Sequence, residues 1–568
     1  MSGHLDFDPV LDLAITNGLV DEQQAQELLD EKKRSGKPVR RLLLDSEFVT
    51  ENDLLGMMAA YQGCEVVDLT QLTIPQTVIK CIPASVARMY NVIPIRTGIG
   101  AVTLATSTII DPHAMDEIMF VLTKDVSFAM AREGDIHDRV TEFYGDDSAT
   151  VAELLNSLEG EISHDPALAI GEEVDDKGIA EAAGSAPIIK FVHLVLYNAV
   201  MARASDIHFE PFEKEFRIRY RVDGALYEMA PPPRRLATPI ISRVKVMSGL
   251  NIAERRMPQD GRIAITVAGR HIDLRVSCLP TRFGESVVLR VLDQSVVSLN
   301  LDTLGMPEDV LNDLFIDVEK PNGIIIATGP TGCGKTTTLY SCLRRINTID
   351  QKLLTAEEPV EYDIDGIVQV PINPLTGNTF PLALRAFLRQ DPDVMMIGEI
   401  RDLETAKIAI EASLTGHLVF STLHTNDAAG AITRLIDMEV EPYLIASTLE
   451  AVLGQRLLRT ICLNCKTAYE PDDETLRSLS LTRPDVGSRP FYYGRGCQKC
   501  NSTGYKGRKG IYEYLRVSND IRELINEKKP TLFLREKARA LGMRTMREDG
   551  IRNVLDGYTT VDEIRLYT

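Results

Sequence analysis

Between residues 323 and 423 the chain carries two short, uninterrupted apolar runs, at 324–327 and 394–397, and a further strand-like stretch at 418–423. Runs of this length with no polar alternation are what strands buried on both faces of a parallel sheet look like. Each run gives way at once to glycines, carboxylates or a histidine, and in open α/β sheets chemistry collects at strand C-termini. Residues 352–361 read as a further strand that delivers carboxylates at its end, and 384–389 reads as a helix. Upstream the pattern changes. In 216–229 the apolar Phe216, Ile218, Tyr220 and Val222 alternate with Arg217, Arg219 and Arg221, the signature of a half-buried strand. Residues 257–280 continue that sheet, with turns expected at Asp260-Gly261 and Gly269-Arg270. With a helix starting at Ser185 and running through Phe191, Leu194, Val195 and Ala199, residues 185–300 read as an α+β domain.

The N-terminal stretch holds a weak internal repeat. Residues 14–29 align with 43–58, and each copy leads through a turn to an N-cap, Asp21 or Thr50. Apolar positions at helical spacing follow, Ala25, Leu28 and Leu29 in the first copy and Leu54, Met57 and Met58 in the second. Two small helical hairpins are predicted. Residues 66–145 alternate β-like runs (92–95, 101–105) with helices, one of them opening at Asp111-Pro112, and complete an N-terminal region of 1–145. Residues 146–184 then hold eleven acidic residues and one lysine, the composition of a solvated, flexible linker.

Composition narrows the function classes. The net charge of −20 argues against a nucleic-acid motor, because phosphate contacts need a basic surface. The longest apolar runs fall short of the roughly 20 residues that a membrane span needs, and the first ten residues lack the basic and apolar regions of a signal peptide. A cytoplasmic location is therefore expected, with the nine cysteines as thiols or metal ligands rather than disulfides.

Two motifs carry chemistry. Gly329-Pro330-Thr331-Gly332-Cys333-Gly334-Lys335-Thr336-Thr337, between an apolar strand and a helix, fits the phosphate-loop pattern. Glycines let backbone N–H groups wrap an anion, the helix N-terminus adds positive potential, Lys335 reaches the β- and γ-phosphates, and Thr336 joins a Mg²⁺ shell. Glu361 and Glu399, each past a strand end, can converge with Thr336 on one Mg²⁺-nucleotide, although exposed strand ends also carry glutamates by chance. His424 falls past the same edge and is a candidate γ-phosphate sensor. The second motif is Cys462-x-x-Cys465 with Cys497-x-x-Cys500, which can supply four thiolates to a structural, tetrahedral Zn²⁺. Redox pairs are the alternative, without a thioredoxin-like context to support them.

With these residues in view the chain resembles the assembly ATPases of type II secretion systems and type IV pili. The markers are ASDIH at 204–208, RYRVDG at 219–224, MPQDGR at 257–262, the phosphate loop, EEPVE at 357–361, IGEIRD at 397–402, TGHLVFSTLHTND at 415–427 and the paired Cys-x-x-Cys. The resemblance implies a multidomain α/β protein: a RecA-like phosphate-loop ATPase core at 301–568 with a zinc-knuckle insertion at 460–512, an α+β (PAS-like) second domain at 185–300, and the N-terminal α+β modules. It also implies a cytoplasmic homo-hexamer, peripheral at the inner membrane through platform proteins. ATP, Mg²⁺ and Zn²⁺ are the expected cofactors, and nucleic acid is not an expected partner. In the implied roles Glu361 polarises the attacking water, Glu399 stands in the Walker B position, His424 senses the γ-phosphate, and Arg219 and Arg234 contact the phosphates from the other domain. The alternative is a nucleotide-gated scaffold with little turnover, kept open because Glu358 stands where the family box has aspartate. Some members bind a cyclic dinucleotide through repeats opening Arg-Leu-Gly with a glycine further on. Here the second copy reads Arg41-Leu42-Leu43 with Glu47 at the glycine position, and the first keeps Gly18 without the opening. Docking to a platform protein is expected of this region, and cyclic dinucleotide binding is not.

Overall fold

The computed structural model describes residues 9–35, 39–46, 49–82, 86–87, 90–98, 100–110, 115, 118–119, 122, 124–144, 183–229, 231–267, 270–293 and 299–568. The acidic segment up to residue 182, the helix start at Asp111-Pro112 and Glu47 lie outside them. The chain divides into two units, Met1–Val296 and Val297–Thr568.

The first unit opens with helices Pro9–Thr16, Glu22–Ser35, Val39–Asp45 and Glu51–Gln62. Asp21 accepts from the Gln24 N–H at 2.7 Å while its own N–H donates to Gln24 Oε1 at 2.9 Å, a reciprocal cap. Thr50 caps the other helix by accepting from the Asp53 N–H. Ala25, Leu28, Leu29, Leu54, Met57 and Met58 all enter one buried cluster, so the two copies of the repeat face each other across a shared core. A four-stranded sheet follows, built from β1 (Glu65–Val66), β2 (Val92–Thr97), β3 (Ala101–Thr106) and β4 (Asp125–Met130) in the order β1-β4-β3-β2.

Beyond it lies a six-stranded antiparallel sheet of β5 (Asp206–Pro211), β6 (Phe216–Val222), β7 (Ala225–Glu228), β8 (Gln259–Val267), β9 (Arg270–Thr281) and β10 (Gly284–Leu292), ordered β7-β6-β5-β10-β9-β8. Helices Ala186–Met201 and Ala237–Met247 pack on its apolar face, where Phe209, Phe216 and Ile218 are buried. Asp260 and Gly261 form no turn, contrary to the sequence expectation. They lie inside β8, opposite Ser277 and Val276 of β9. Gly261 serves close approach instead, since a Cβ there would sit 2.6 Å from the Ser248 carbonyl oxygen and 2.9 Å from Leu250. Gly261→Ala is expected to destabilise this sheet by about 2 kcal/mol. A lowered urea midpoint for the first unit checks it.

The second unit is a seven-stranded sheet of β11 (Gly323–Thr328), β12 (Leu353–Glu357), β13 (Ile367–Pro371), β14 (Val394–Ile397), β15 (Leu418–Leu423), β16 (Leu449–Ile461) and β19 (Tyr505–Arg516). Its order is β13-β12-β14-β15-β11-β16-β19, parallel except for β19 against β16. Two apolar clusters, one on each side, bury it. The short strands β17 (Lys466–Tyr469) and β18 (Phe491–Gly494) pair separately, between β16 and β19 in the chain. The helix expected at 384–389 runs over Phe380–Phe387 instead. Pro381 sits in its first turn, where the missing N–H costs nothing, and so marks a start rather than a break.

Candidate nucleotide site and metal centre

Because β11, β12, β14 and β15 run parallel, their C-terminal ends share one edge. The phosphate loop leaves β11 there and enters the helix Lys335–Ile346 directly. Gly329 has φ 151°, and a Cβ on it would come within 2.6 Å of both Cys333 Sγ and the Gln455 carbonyl oxygen. Only glycine lets the loop lie this close to β16. Lys335 is buried, and its Nζ donates to the carbonyls of Gly329 at 2.7 Å and Pro330 at 3.0 Å, which curls the side chain over the loop. Burial pulls its ammonium below the ordinary lysine range, with Cys333 and Glu399 opposing that pull. Thr336 and Thr337 take the next two positions of the helix.

The carboxylates separate into three environments. Glu399, just past β14, pairs with Arg401 and lies 3.4 Å from His424 Nε2. Burial alone would raise its pKa, but the Arg401 bond and charge, then His424, outweigh it and hold the group below the ordinary range. Glu358 lies 3.2 Å from the other amino group of Arg401. Glu357, at 3% exposure, is turned inward to Tyr340, Thr355 and Gln369. Glu361 occupies the loop after β12, its N–H donating to the Tyr340 hydroxyl at 3.3 Å. The structure therefore brings Glu399, His424, Glu358 and Arg401 together next to Lys335. His417, at the other end of β15, is tied through Nδ1 to Ala412 O and Thr415.

Sequence reasoning missed Gln455 and Arg456, buried polar residues in the middle of β16. Gln455 donates to Cys333 O at 2.8 Å and accepts from Thr338 at 3.0 Å, clamping the second half of the loop and the first turn of its helix to β16. Arg456 donates to Gln455 O and Asn426 O. A polar pair flanked by Val452-Leu453 and Leu457-Leu458 was the available signal.

In the first unit the arginine face of β6 is paired within its own sheet. Arg219 makes a bidentate bond to Glu210, at 2.8 and 2.7 Å. Arg217 pairs with Glu215 and Glu228, and Arg221 with Asp206. Arg234 donates to the carbonyls of Phe212 at 2.9 Å and Phe283 at 2.7 Å.

The four motif cysteines meet where β16 and β19 join the β17–β18 pair. Their Sγ atoms lie within 4.8 Å of one another, with Cys462–Cys497 and Cys465–Cys500 at 3.8 Å and Cys497–Cys500 at 3.6 Å. A tetrahedron with Zn–S bonds of about 2.3 Å has edges near 3.8 Å, so the thiols are spaced for that ion and not for disulfides. The Cys497 and Gly504 N–H groups both donate to Cys500 Sγ, at 3.2 and 3.3 Å, as thiolate ligands require.

A parallel sheet with a lysine-bearing phosphate loop and carboxylates on its C-terminal edge defines a phosphate-loop nucleoside triphosphatase. The chain belongs to the family described as "Type II/IV secretion system protein", whose model matches residues 181–566. An MshEN domain model matches 62–150, beyond the two repeats. The chain is 38% identical to a type IV pilus assembly ATPase PilB of Myxococcus xanthus, over 99% of this chain and 98% of that one. It is 41% identical to a type II secretion system protein E of Xanthomonas campestris, over 93% of each. In fold it is similar to the ATPase DotB of Legionella pneumophila, with a TM-score of 0.50 at 22% identity, covering 66% of this chain and 94% of that one. The expected α/β class and the resemblance to secretion and pilus ATPases are thus met, and the protein is an ATPase of this family. Among the described residues no helix is long and apolar enough to cross a membrane.

Proposed function

We propose that the chain is a homo-hexameric ATP hydrolase that powers export through a type II secretion system or extension of a type IV pilus. It acts in the cytoplasm, at the inner membrane, through platform proteins. The observation that carries this reading is the gathering of Lys335, Glu399 and His424 at the edge where the phosphate loop opens, in a chain that matches relatives of both names almost end to end.

In this reading Lys335 exchanges its loop carbonyls for phosphate oxygens, and the loop N–H groups hold the rest of the anion. Mg²⁺, when bound, neutralises charge on the transferring phosphoryl, and Thr336 and Glu399 are the groups to hold it. Glu361 orients and polarises the attacking water, and His424, hydrogen-bonded through Glu399, senses the γ-phosphate. Arg219 and Arg234 supply further cationic groups to the phosphates, which requires Arg219 to leave Glu210. The four cysteines hold Zn²⁺, which ties the β16–β19 hairpin to β17–β18. Leu43 and Glu47 depart from the repeat pattern of the members that bind a cyclic dinucleotide, so none is assigned to the N-terminal repeats, and docking to a platform protein is their proposed role.

The test is a Glu361→Gln variant expressed in the native host, crosslinked, and examined for copurifying membrane proteins. A secretion platform with pseudopilins assigns it to export, and a pilus platform with major pilin assigns it to extension. Recovery of neither overturns the motor reading. Full secretion or piliation with Glu361→Gln would instead support a scaffold that needs only bound ATP.

A further inference from the structure

One cluster in the second unit has no part in the roles above. Glu357 ends β12 and is buried, yet its carboxylate does not face the loop that opens toward the nucleotide. One oxygen accepts from the Tyr340 hydroxyl; the other accepts from Thr355 Oγ1 at 2.5 Å and Gln369 Nε2 at 3.1 Å. Tyr340 belongs to the helix that begins at Lys335, and its side chain is fully buried. Its hydroxyl donates to Glu357 and accepts from the Glu361 N–H at 3.3 Å and from Gln369 Nε2 at 3.4 Å, so both its donor and its acceptor capacity are used.

Gln369, on β13, extends the same network along the loop. Its Nε2 donates to Tyr362 O at 3.0 Å, and its Oε1 accepts from the Ile364 N–H at 2.7 Å. The Tyr362 ring packs edge-on against Tyr340, with centroids 6.3 Å apart. The loop that carries Glu361 is therefore pinned at three backbone points within four residues, at 361, 362 and 364, by side chains from two different elements. Among the described side chains that make these bonds, Glu357 is the anion. A general base or water-orienting carboxylate on a loop is useful only if its backbone is held to a fraction of an ångström, and this loop is held to the same helix that holds the phosphate lysine.

We infer that Tyr340 and Gln369 are positioning residues, which with the buried Glu357 carboxylate fix the Glu361 loop in register with the phosphate-loop helix. This rests on the proposed role of Glu361. Glu357 is then an anchor and not a Mg²⁺ ligand, since its oxygens are committed to protein donors. The hydroxyl of Tyr340 is the joint: movement of the helix on the nucleotide is transmitted to the loop that carries the water-orienting carboxylate through its bonds with the Glu361 N–H and Gln369.

The test is a double-mutant cycle on ATP turnover in the full chain. Tyr340→Phe removes the hydroxyl and keeps the ring. It is expected to lower kcat about 10- to 100-fold with KM for ATP within about twofold, as misplacement of a reacting group does. In the Glu361→Gln background the same substitution should change the residual rate by less than about twofold, because it acts through Glu361. Ile410→Val, in the core away from this network, should leave kcat unchanged at matched temperature. Tyr340→Phe with wild-type kcat, or losses that multiply with those of Glu361→Gln, would overturn the relay while leaving the role of Glu361 intact. Wild-type turnover by Glu361→Gln alone would overturn the role of Glu361, and the relay with it. Should Tyr340→Phe fail to fold, Gln369→Leu enters the same cycle with the same expectations, since it removes the contacts at 362 and 364.

Discussion

Lys335→Ala is expected to lower kcat/KM for ATP by roughly 10²- to 10³-fold, the scale for removing one preorganised charge from a transferring phosphoryl group. The geometry argues for a large effect. Nζ is buried and held over the loop by Gly329 O and Pro330 O, so the charge is positioned before substrate arrives and its desolvation is already met by folding. Two neighbouring arginines are already committed: Arg456 to Gln455 O and Asn426 O, and Arg401 to Glu399 and Glu358. The loop itself should survive, because Gln455 still clamps Cys333 and Thr338. Binding of a fluorescent ATP analogue and phosphate release, measured on protein with an unchanged far-ultraviolet spectrum, check the prediction. Turnover within tenfold of wild type would remove Lys335 from the site.

The second large effect concerns the tetracysteine centre. The purified chain is expected to carry about one Zn per polypeptide, and Cys497→Ser to lose both the metal and a cooperative unfolding step, at a cost on the order of several kcal/mol. The reason is topological. The β17–β18 pair is only two strands of four residues each, and an isolated hairpin of that size is marginal in water. Its tether to the long β16–β19 hairpin runs through Cys462, Cys465, Cys497 and Cys500, where Gly494 and Gly504 bring two backbones too close for any Cβ. Cys497 is the informative position: hydrogen bonding from Asn464 and then from its cysteine neighbours pulls its thiol down to about 6. Metal content well under one per chain, together with wild-type melting of Cys497→Ser, would contradict the assignment. Cys278 is the contrasting case, its thiol pushed up to about 12 by burial and then by Glu285.

Much of this was legible in the chain. The stretches at 394–397 and 418–423 are strands with those bounds, the first because a strand buried on both faces shows itself as an unbroken apolar run, the second although it carries Ser421 and Thr422. The phosphate loop and the cysteine pairs were legible because their chemistry dictates spacing. Asp260-Gly261 misled because the pair has the composition of a turn, while the glycine answers to Ser248 and Leu250, which local pattern does not reveal. The helix Phe380–Phe387 begins four residues before the expected 384 because Pro381 fits its first turn, a start signal that the apolar spacing does not carry. The network around Tyr340 was invisible because its members, at 340, 355, 357 and 369, come from three elements brought together only by the sheet order β13-β12-β14 and the helix packed on it. The pairing of Arg219 with Glu210 is likewise a cross-strand fact, set by the register of β5 against β6.

The central claim is that this edge of the sheet hydrolyses ATP with Glu361 as the water-orienting group. The most direct measurement is phosphate release by wild type and Glu361→Gln at saturating Mg²⁺-ATP, alongside ATP affinity for each. The account predicts that Glu361→Gln binds ATP within about threefold of wild type and turns over at least roughly 100-fold more slowly, as expected when a positioned base is lost from the transition state only. Turnover by Glu361→Gln at the wild-type rate, with wild-type affinity, would contradict it.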